Sequence, residues 1–341
     1  MKPFIVPVFL PHSGCPHQCA FCNQKAITGQ AVQQNLLTMV REQIDRFLAF
    51  PHETQRAVQI SFYGGNFLGL PRENIRSLLD EARVYIEQGK AEGIRFSTRP
   101  DTISDETLQL IREYPIQTVE IGVQSMDDTV LDKVRRGHTA LDTEMAVRRL
   151  AETPYDIGLQ MMTGLPGDDE ASTRMTARRI ADFAPAFVRI YPAVVLKGSP
   201  MAAWYSKGSF MPLSLDEAVE RVKGLYLFFQ EKAIPVIRMG LQASAELDTE
   251  NTVLAGPYHP AFGHLVFSAI WMDKAVELLA AEKMPEEKVV FHVRPENISK
   301  LRGQKNDNIS KLMQQFHLKA IDVKPDEKMA GEGMRIEWKT T

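Results

Sequence analysis

Cysteine is nearly missing from this chain. Its 341 residues hold three, with none left over to build a disulfide framework. Long apolar runs are missing too. Nothing approaches the roughly 20 consecutive apolar residues that span a bilayer, and Lys2-Pro3 followed by a short strand-like run is no signal peptide. Neither sign of charge is in excess. A formal net charge of −3 gives no global basic footprint for nucleic acid, though a local one stays open. There is no internal repeat and no low-complexity tract. These absences argue against secreted disulfide scaffolds and membrane spans, and they set the expectation of a cytoplasmic protein. Apolar content of 44% and charged content of 24% are ordinary for a globular chain, and the length suits one large domain with a small appendage.

What cysteine there is sits in one place. Cys15, Cys19 and Cys22 form C-x3-C-x2-C within eight residues. Thiolates are soft ligands that select iron–sulfur clusters, zinc or copper(I). A tetrahedral protein site wants four ligands, and cysteine supplies three. A zinc ion could take His12 or His17 as its fourth ligand. An iron–sulfur cube would instead keep one iron open, which is a place for chemistry. Cysteines serving only as small buried hydrophobes would be scattered. An apolar run, residues 4–10, leads through Pro11-His12-Ser13-Gly14 into the cysteines. That pattern is a strand emptying into a loop at its carboxyl end, where α/β folds place ligands.

Strand-like runs at 4–10, 57–63, 94–98, 118–123, 156–162, 187–191 and 236–239 alternate with helical patterns. The helical patterns fall at 37–50, 72–88, 105–112, 140–152, 172–183 and 215–231. Alternation of this kind predicts parallel βαβ units closing into a full or partial (β/α) barrel. The rhythm breaks after about residue 240. The expected division is a barrel over 1–240, a helical extension over 241–284 whose helix at 262–279 packs back on the barrel, and a small α+β unit over 285–341.

Catalytic groups of a barrel gather at the carboxyl ends of its strands. The second strand ends in Tyr63-Gly64-Gly65-Asn66, and paired glycines let backbone approach a ligand closely. The third ends in Arg99-Pro100-Asp101, where Arg99 offers a forked cation suited to a carboxylate. The fourth supplies Gly122-Val123-Gln124-Ser125, and Arg135-Arg136-Gly137-His138 opens the next helix. Gly164-Leu165-Pro166-Gly167 ends the fifth, and Tyr191-Pro192 ends the sixth.

The cysteine spacing, with aromatic Phe21 beside the last cysteine, resembles the cluster motif of radical S-adenosylmethionine (SAM) enzymes. The ordered series of strand-end motifs resembles one branch of that superfamily. That branch holds the catalytic subunit of Elongator and, more distantly, oxygen-independent coproporphyrinogen oxidase. The resemblance runs from about Pro7 to Met239. It implies a partial (β/α)6 TIM-like radical-SAM barrel, and a [4Fe–4S] cluster on Cys15, Cys19 and Cys22 whose open iron chelates SAM. It implies an electron donor such as a flavodoxin or ferredoxin. By the same resemblance Gly64, Gly65 and Arg99 hold the methionine end of SAM, while Gln124 and Tyr191 sit near the nucleoside or substrate. Asn66 stands where the family commonly carries an acid. Two further departures set this chain apart from the Elongator subunit: no room for an acetyltransferase domain after residue 285, and no long basic amino-terminal extension. The expectation is a relative with a different job.

The last unit reads as strand (288–293), short helix (296–301), Arg302-Gly303-Gln304-Lys305-Asn306, helix (307–316) and strand (319–324). This order resembles the core of a K-homology RNA-binding unit, whose G-x-x-G loop clamps backbone nucleotides. Arg302, Gly303, Gln304, Lys305 and Asn306 are the RNA-binding candidates, with Lys300 and Lys311 adding local positive charge. A small structural cap is the alternative. The expected function is radical-SAM chemistry on RNA, above all tRNA. Two rivals stand beside it: the same chemistry on a small metabolite or porphyrin-like molecule, and a non-catalytic RNA-binding protein with a structural metal site.

Overall fold

The computed structural model describes residues 3–10, 14–16, 18–23, 36–51, 56–242, 247–249, 252–282 and 288–339. His12 and His17, the alternative fourth ligands, lie outside the described residues, as does the expected boundary at 284–285. Two compact units emerge. One holds residues 1–218 and 225–258, the other residues 219–224 and 259–341. Among the described residues no helix is long and apolar enough to cross a membrane.

The first unit is built on seven parallel strands: β1 (Phe4–Phe9), β2 (Val58–Tyr63), β3 (Gly93–Thr98), β4 (Ile116–Gln124), β5 (Asp156–Thr163), β6 (Phe187–Pro192) and, after a short β7 (Val195–Leu196), β8 (Val236–Met239). Their order in the sheet is β1-β2-β3-β4-β5-β6-β8, a curled half-barrel that matches the predicted partial barrel with a seventh strand at its edge. β7 pairs separately with β9 (Val253–Ala255). Helices fill the crossovers: α1 (Leu36–Leu48), α2 (Arg72–Glu87), α3 (Asp105–Ile111), α4 (Asp128–Lys133), α5 (Ala140–Ala151), α6 (Glu170–Asp182), α7 (Pro200–Ser206) and α8 (Leu215–Glu231).

Alternation along the strands separates two faces. Val6, Ile60, Ile94, Val119, Leu159 and Val188 are all buried on the face toward the helices. There the apolar stripes of α2 (Leu78, Leu79, Ala82) and α5 (Ala146, Val147, Leu150) complete the core. The other face is polar. Ser61 pairs with Arg95, Ser97 with Glu120, Gln160 with Arg189 and Arg189 with Arg238 across neighbouring strands. A closed barrel fills its lumen with branched apolar side chains; this half-barrel does not.

In the second unit α9 (Phe262–Ala280) is followed by β10 (Lys288–Val293), α10 (Ile298–Arg302), α11 (Asp307–Gln315), β11 (Ala320–Pro325) and β12 (Met334–Trp338). β10 is central, parallel to β11 and antiparallel to β12. The expected strand–helix–loop–helix–strand order is present, and β12 adds a third strand the sequence reading did not contain. In α9, Trp271, Ala275 and Leu279 share one core with Val289, Phe291, Leu301 and Leu312. Apolar residues run along the helix with little periodicity, so the sequence alone does not say which sheet it covers.

Candidate active site

The cysteine loop follows β1 and is held from three directions. Ala20 sits in an apolar cluster with Val130, Val134, Leu165 and Met201. Its N–H donates to the Val134 carbonyl at 2.9 Å, and its own carbonyl accepts from Met201 N–H at 2.9 Å. Gly14 is left-handed (φ 72°), and a Cβ there would lie 2.2 Å from the Asn66 carbonyl oxygen. Only glycine lets the loop pass so close to the end of β2.

Asn66 is the joint of this corner. It is fully buried. Its Nδ2 donates to the Gly14 carbonyl at 2.9 Å, while Oδ1 accepts from Thr98 Oγ1 (2.8 Å), Thr102 Oγ1 (2.9 Å) and Arg99 N–H (3.0 Å). The residue replacing the family's acid thus ties the cysteine loop to the ends of β2 and β3. Beside it Gly64 is left-handed (φ 90°), and Gly65 lines a small crevice with Leu10, Tyr63, Asn66 and Ser97.

Arg99 has partners within the chain. Its fork closes on Asp101, with Nε and Nη2 donating at 2.9 and 2.8 Å, and Nη1 donates to the Arg136 carbonyl at 2.6 Å. Arg99 therefore braces the loop carrying Arg136.

Arg136 and His138 complete the corner. Arg136 is 7% exposed, its Nη1 donating to Cys19 Sγ at 3.4 Å and its Nη2 to the Gly122 carbonyl at 2.8 Å. A Cβ at Gly122 would come within 3 Å of the Gln124 amide and the Arg136 guanidinium, so one of these side-chain ends would have to shift. Burial raises the Cys15 thiol above its ordinary value, and the charges of Arg136 and Arg99 pull it back toward the thiolate. His138 is pushed down to about 2 by burial and then by the same two cations, so its imidazole is neutral. A backbone contact with Val123 acts weakly in the opposite direction.

Gln124 sits at a bulge where the β4–β5 register shifts, with left-handed backbone (φ 67°), and its Oε1 accepts from Gln160 Nε2 at 3.2 Å. Tyr191 belongs to a buried charge network on the polar face. Glu120 forms ion pairs with both Arg95 and Arg189, and it accepts hydrogen bonds from Arg189 Nη2 at 3.2 Å and from the Tyr63 hydroxyl at 3.1 Å. Arg189 also donates to the hydroxyls of Tyr63 (2.9 Å) and Tyr191 (3.3 Å). The sequence reading singled out Tyr191 but missed Arg95, Glu120 and Arg189. Charged residues at alternate positions inside otherwise apolar strands were the available signal.

The predicted C-terminal residues form one turn. Gly303 (φ 70°), Lys305 (φ 53°) and Asn306 (φ 64°) are left-handed, and Arg302, Gln304, Lys305 and Asn306 are exposed. Gln304 Nε2 lies 3.3 Å from His259 Nε2.

A family profile described as the Radical SAM superfamily matches residues 9–180, and one described as the Radical_SAM C-terminal domain matches residues 185–271. The chain belongs to the radical SAM superfamily. Among curated relatives, a tRNA uridine(34) acetyltransferase of Methanocaldococcus infernus is 26% identical over 255 residues, covering 63% of this chain and 48% of that protein. The heme chaperone HemW of Bacillus subtilis is 28% identical over 157 residues, covering 45% of this chain and 41% of that protein. The chain spans about half the length of the tRNA uridine(34) acetyltransferase it matches. A solved structure of the Elp3 protein of M. infernus superposes with a TM-score of 0.62 at 20% identity, covering 81% of this chain and 64% of that one. That likeness is one of fold.

Radical SAM enzymes use a [4Fe–4S] cluster and SAM, and these are the cofactors of this chain. The donor set fits. Three soft thiols share one loop, and at Cys15 two buried guanidinium groups oppose the upward pull of burial.

Proposed function

We propose that this chain is a radical SAM enzyme acting on RNA, with tRNA the preferred substrate. Cys15, Cys19 and Cys22 hold the cluster. The backbone of Gly64 and Gly65 receives the methionine end of SAM, and Gln124 and Tyr191 line the nucleoside and substrate side. The bound cofactors supply a 5′-deoxyadenosyl radical by one-electron cleavage of SAM. The chain's own residues do the rest. Asn66, Arg99 and Arg136 fix the cysteine loop, and the polar face offers Arg95, Arg189 and Arg238 against Glu120, a cationic lining that suits an anionic substrate.

The observation that carries the RNA reading is the exposed left-handed turn at 303–306, with Arg302 and Lys305 on it and Lys300 nearby. Such a turn turns backbone N–H groups and cations outward together, which is what a phosphate backbone needs. The likeness to proteins named tRNA uridine(34) acetyltransferase supports the choice of tRNA. A second reading has its own support. The likeness to a heme chaperone favours a carboxylate-bearing, porphyrin-like molecule.

The test is anaerobic reconstitution, reduction, addition of SAM, and assay of 5′-deoxyadenosine with and without bulk tRNA. Deoxyadenosine that rises with tRNA supports the proposal. Deoxyadenosine indifferent to tRNA moves the substrate to the metabolite class.

A further inference from the structure

Cations without counter-charges gather on one part of the first unit's surface. Lys133 and Arg135, at the end of α4, are exposed, and so are Lys197 and Lys207, at the two ends of the segment carrying α7. Among the described residues no carboxylate forms an ion pair with any of the four. Asp132 is the one carboxylate on segments 132–135 and 197–207. The chain as a whole carries −3, so this local excess runs against its net charge. The two segments meet. The Arg135 guanidinium carbon lies 5.9 Å from the centre of the Trp204 ring, and Lys207 caps α7 about one turn beyond Trp204.

The same two segments are hydrogen-bonded to the cysteine loop. Val134, between Lys133 and Arg135, accepts from the N–H of Ala20, the residue after Cys19, at 2.9 Å. The Lys197 carbonyl accepts from Nδ2 of Asn23, the residue after Cys22, at 2.6 Å. One residue and one hydrogen bond thus separate each of these cysteines from the backbone that bears the cations. We propose that this basic surface docks a small acidic one-electron carrier protein, of the flavodoxin or ferredoxin kind, that supplies the cluster. The carrier loses one electron and the oxidised cluster gains it; no bond is made or broken. Such encounters bury little area and rely on complementary charge, which steers them and which salt screens. A nucleic acid has no need of nearness to Cys19 and Cys22; an electron carrier does. The inference rests on the one-electron cleavage proposed above, and dithionite reduction of the parent's cluster tests that reading apart from the docking surface.

The test follows cluster reduction in anaerobically reconstituted protein by stopped-flow absorbance. Flavodoxin hydroquinone is the probe, and dithionite is the small reductant that needs no docking surface. A titration with oxidised flavodoxin reads binding alone. In the double variant Lys133→Glu, Lys207→Glu, flavodoxin-driven reduction at low salt is expected to slow at least tenfold and binding to weaken by a similar factor. Dithionite-driven reduction is expected to stay within about twofold. Added salt should slow the parent and leave the variant little changed. A flavodoxin rate in the variant within twofold of the parent's overturns the proposal, as does a parent that dithionite reduces and flavodoxin does not. Loss of tRNA binding with electron transfer intact gives the surface to RNA and overturns it equally. Should the double variant take up less than a full cluster, Lys207→Glu alone replaces it, and a rate equal to the parent's at low salt then overturns the proposal.

Discussion

Asn66→Asp is the most informative single change in the first unit, because it replaces one amide NH2 with an oxygen at almost no change in volume. The amide's orientation is forced: Oδ1 faces the Arg99 N–H, a donor, so Nδ2 must face the Gly14 carbonyl. An ionised carboxylate keeps the acceptor contacts to Arg99, Thr98 and Thr102. It turns the fourth contact into an oxygen facing a carbonyl oxygen at 2.9 Å. Losing the bond and leaving a buried acceptor unmet costs about 1–3 kcal/mol. Ionising a fully buried group with no cation across from it adds a similar amount. About 3 kcal/mol is the expected loss at pH 8, or roughly 6–12 °C in Tm for a unit of this size.

The loss should depend on pH. Burial and the facing carbonyl raise the folded-state pKa of the new carboxyl above its unfolded value of about 3.9. When protonated, it can donate to the Gly14 carbonyl as the amide did. Relative stability is therefore fully recovered below the unfolded pKa and lost as pH rises through the folded one. Urea unfolding at pH 8 and pH 5.5, beside Asn66→Ala as a pH-independent control, reads this directly. A deficit under about 0.5 kcal/mol at pH 8 would refute the bracket, and so would an equal deficit at both pH values.

Three other changes probe the remaining parts. Cys22→Ala is expected to abolish the brown chromophore and SAM cleavage after reconstitution; full cleavage in that variant removes Cys22 from the ligand set. Glu120→Gln leaves Arg95 and Arg189 buried without their counter-charge, and urea unfolding should show a loss of about 3–5 kcal/mol. A change under 1 kcal/mol would mean that solvent, not Glu120, carries those charges. Lys305→Glu, at an exposed position, should weaken tRNA binding about tenfold or more at low salt while leaving Tm unchanged. Equal affinity at every salt concentration would put RNA elsewhere on the chain.

The strands of the half-barrel were legible because parallel strands covered by helices need apolar residues on the covered face, and that requirement leaves short β-rich runs between helical ones. The cysteine loop was legible because its chemistry lies in three residues of one type. Pairings between distant segments were not. Arg99-Pro100-Asp101 contains both partners of an ion pair, yet a sequence cannot say that the fork closes on Asp101 rather than on a ligand. Asn66 was visible only as a departure from the family's acid. Its meaning needed Gly14, 52 residues earlier, to be placed beside it. Likewise the sequence of α9 does not say what the helix covers; the structure puts its Trp271, Ala275 and Leu279 in the core of the second unit.

The polar face of the half-barrel bears on the choice between the two substrate readings. Glu120 is matched by Arg95 and Arg189 together, and Arg238, the register neighbour of Arg189, adds a further positive charge. At an effective dielectric constant near 20, one unmatched charge attracts an anion 8 Å away by about 2 kcal/mol. That is enough to orient a substrate, and it acts alike on a phosphate and on a carboxylate. The lining therefore selects for charge and not for the kind of molecule that bears it. Discrimination needs a surface that recognises a repeating backbone, and a turn with three left-handed residues and outward cations has that character where a charged cavity does not. A variant of the turn that loses tRNA-stimulated cleavage but keeps the basal rate would therefore separate recognition from chemistry. A variant of Arg238 should weaken both substrate classes alike.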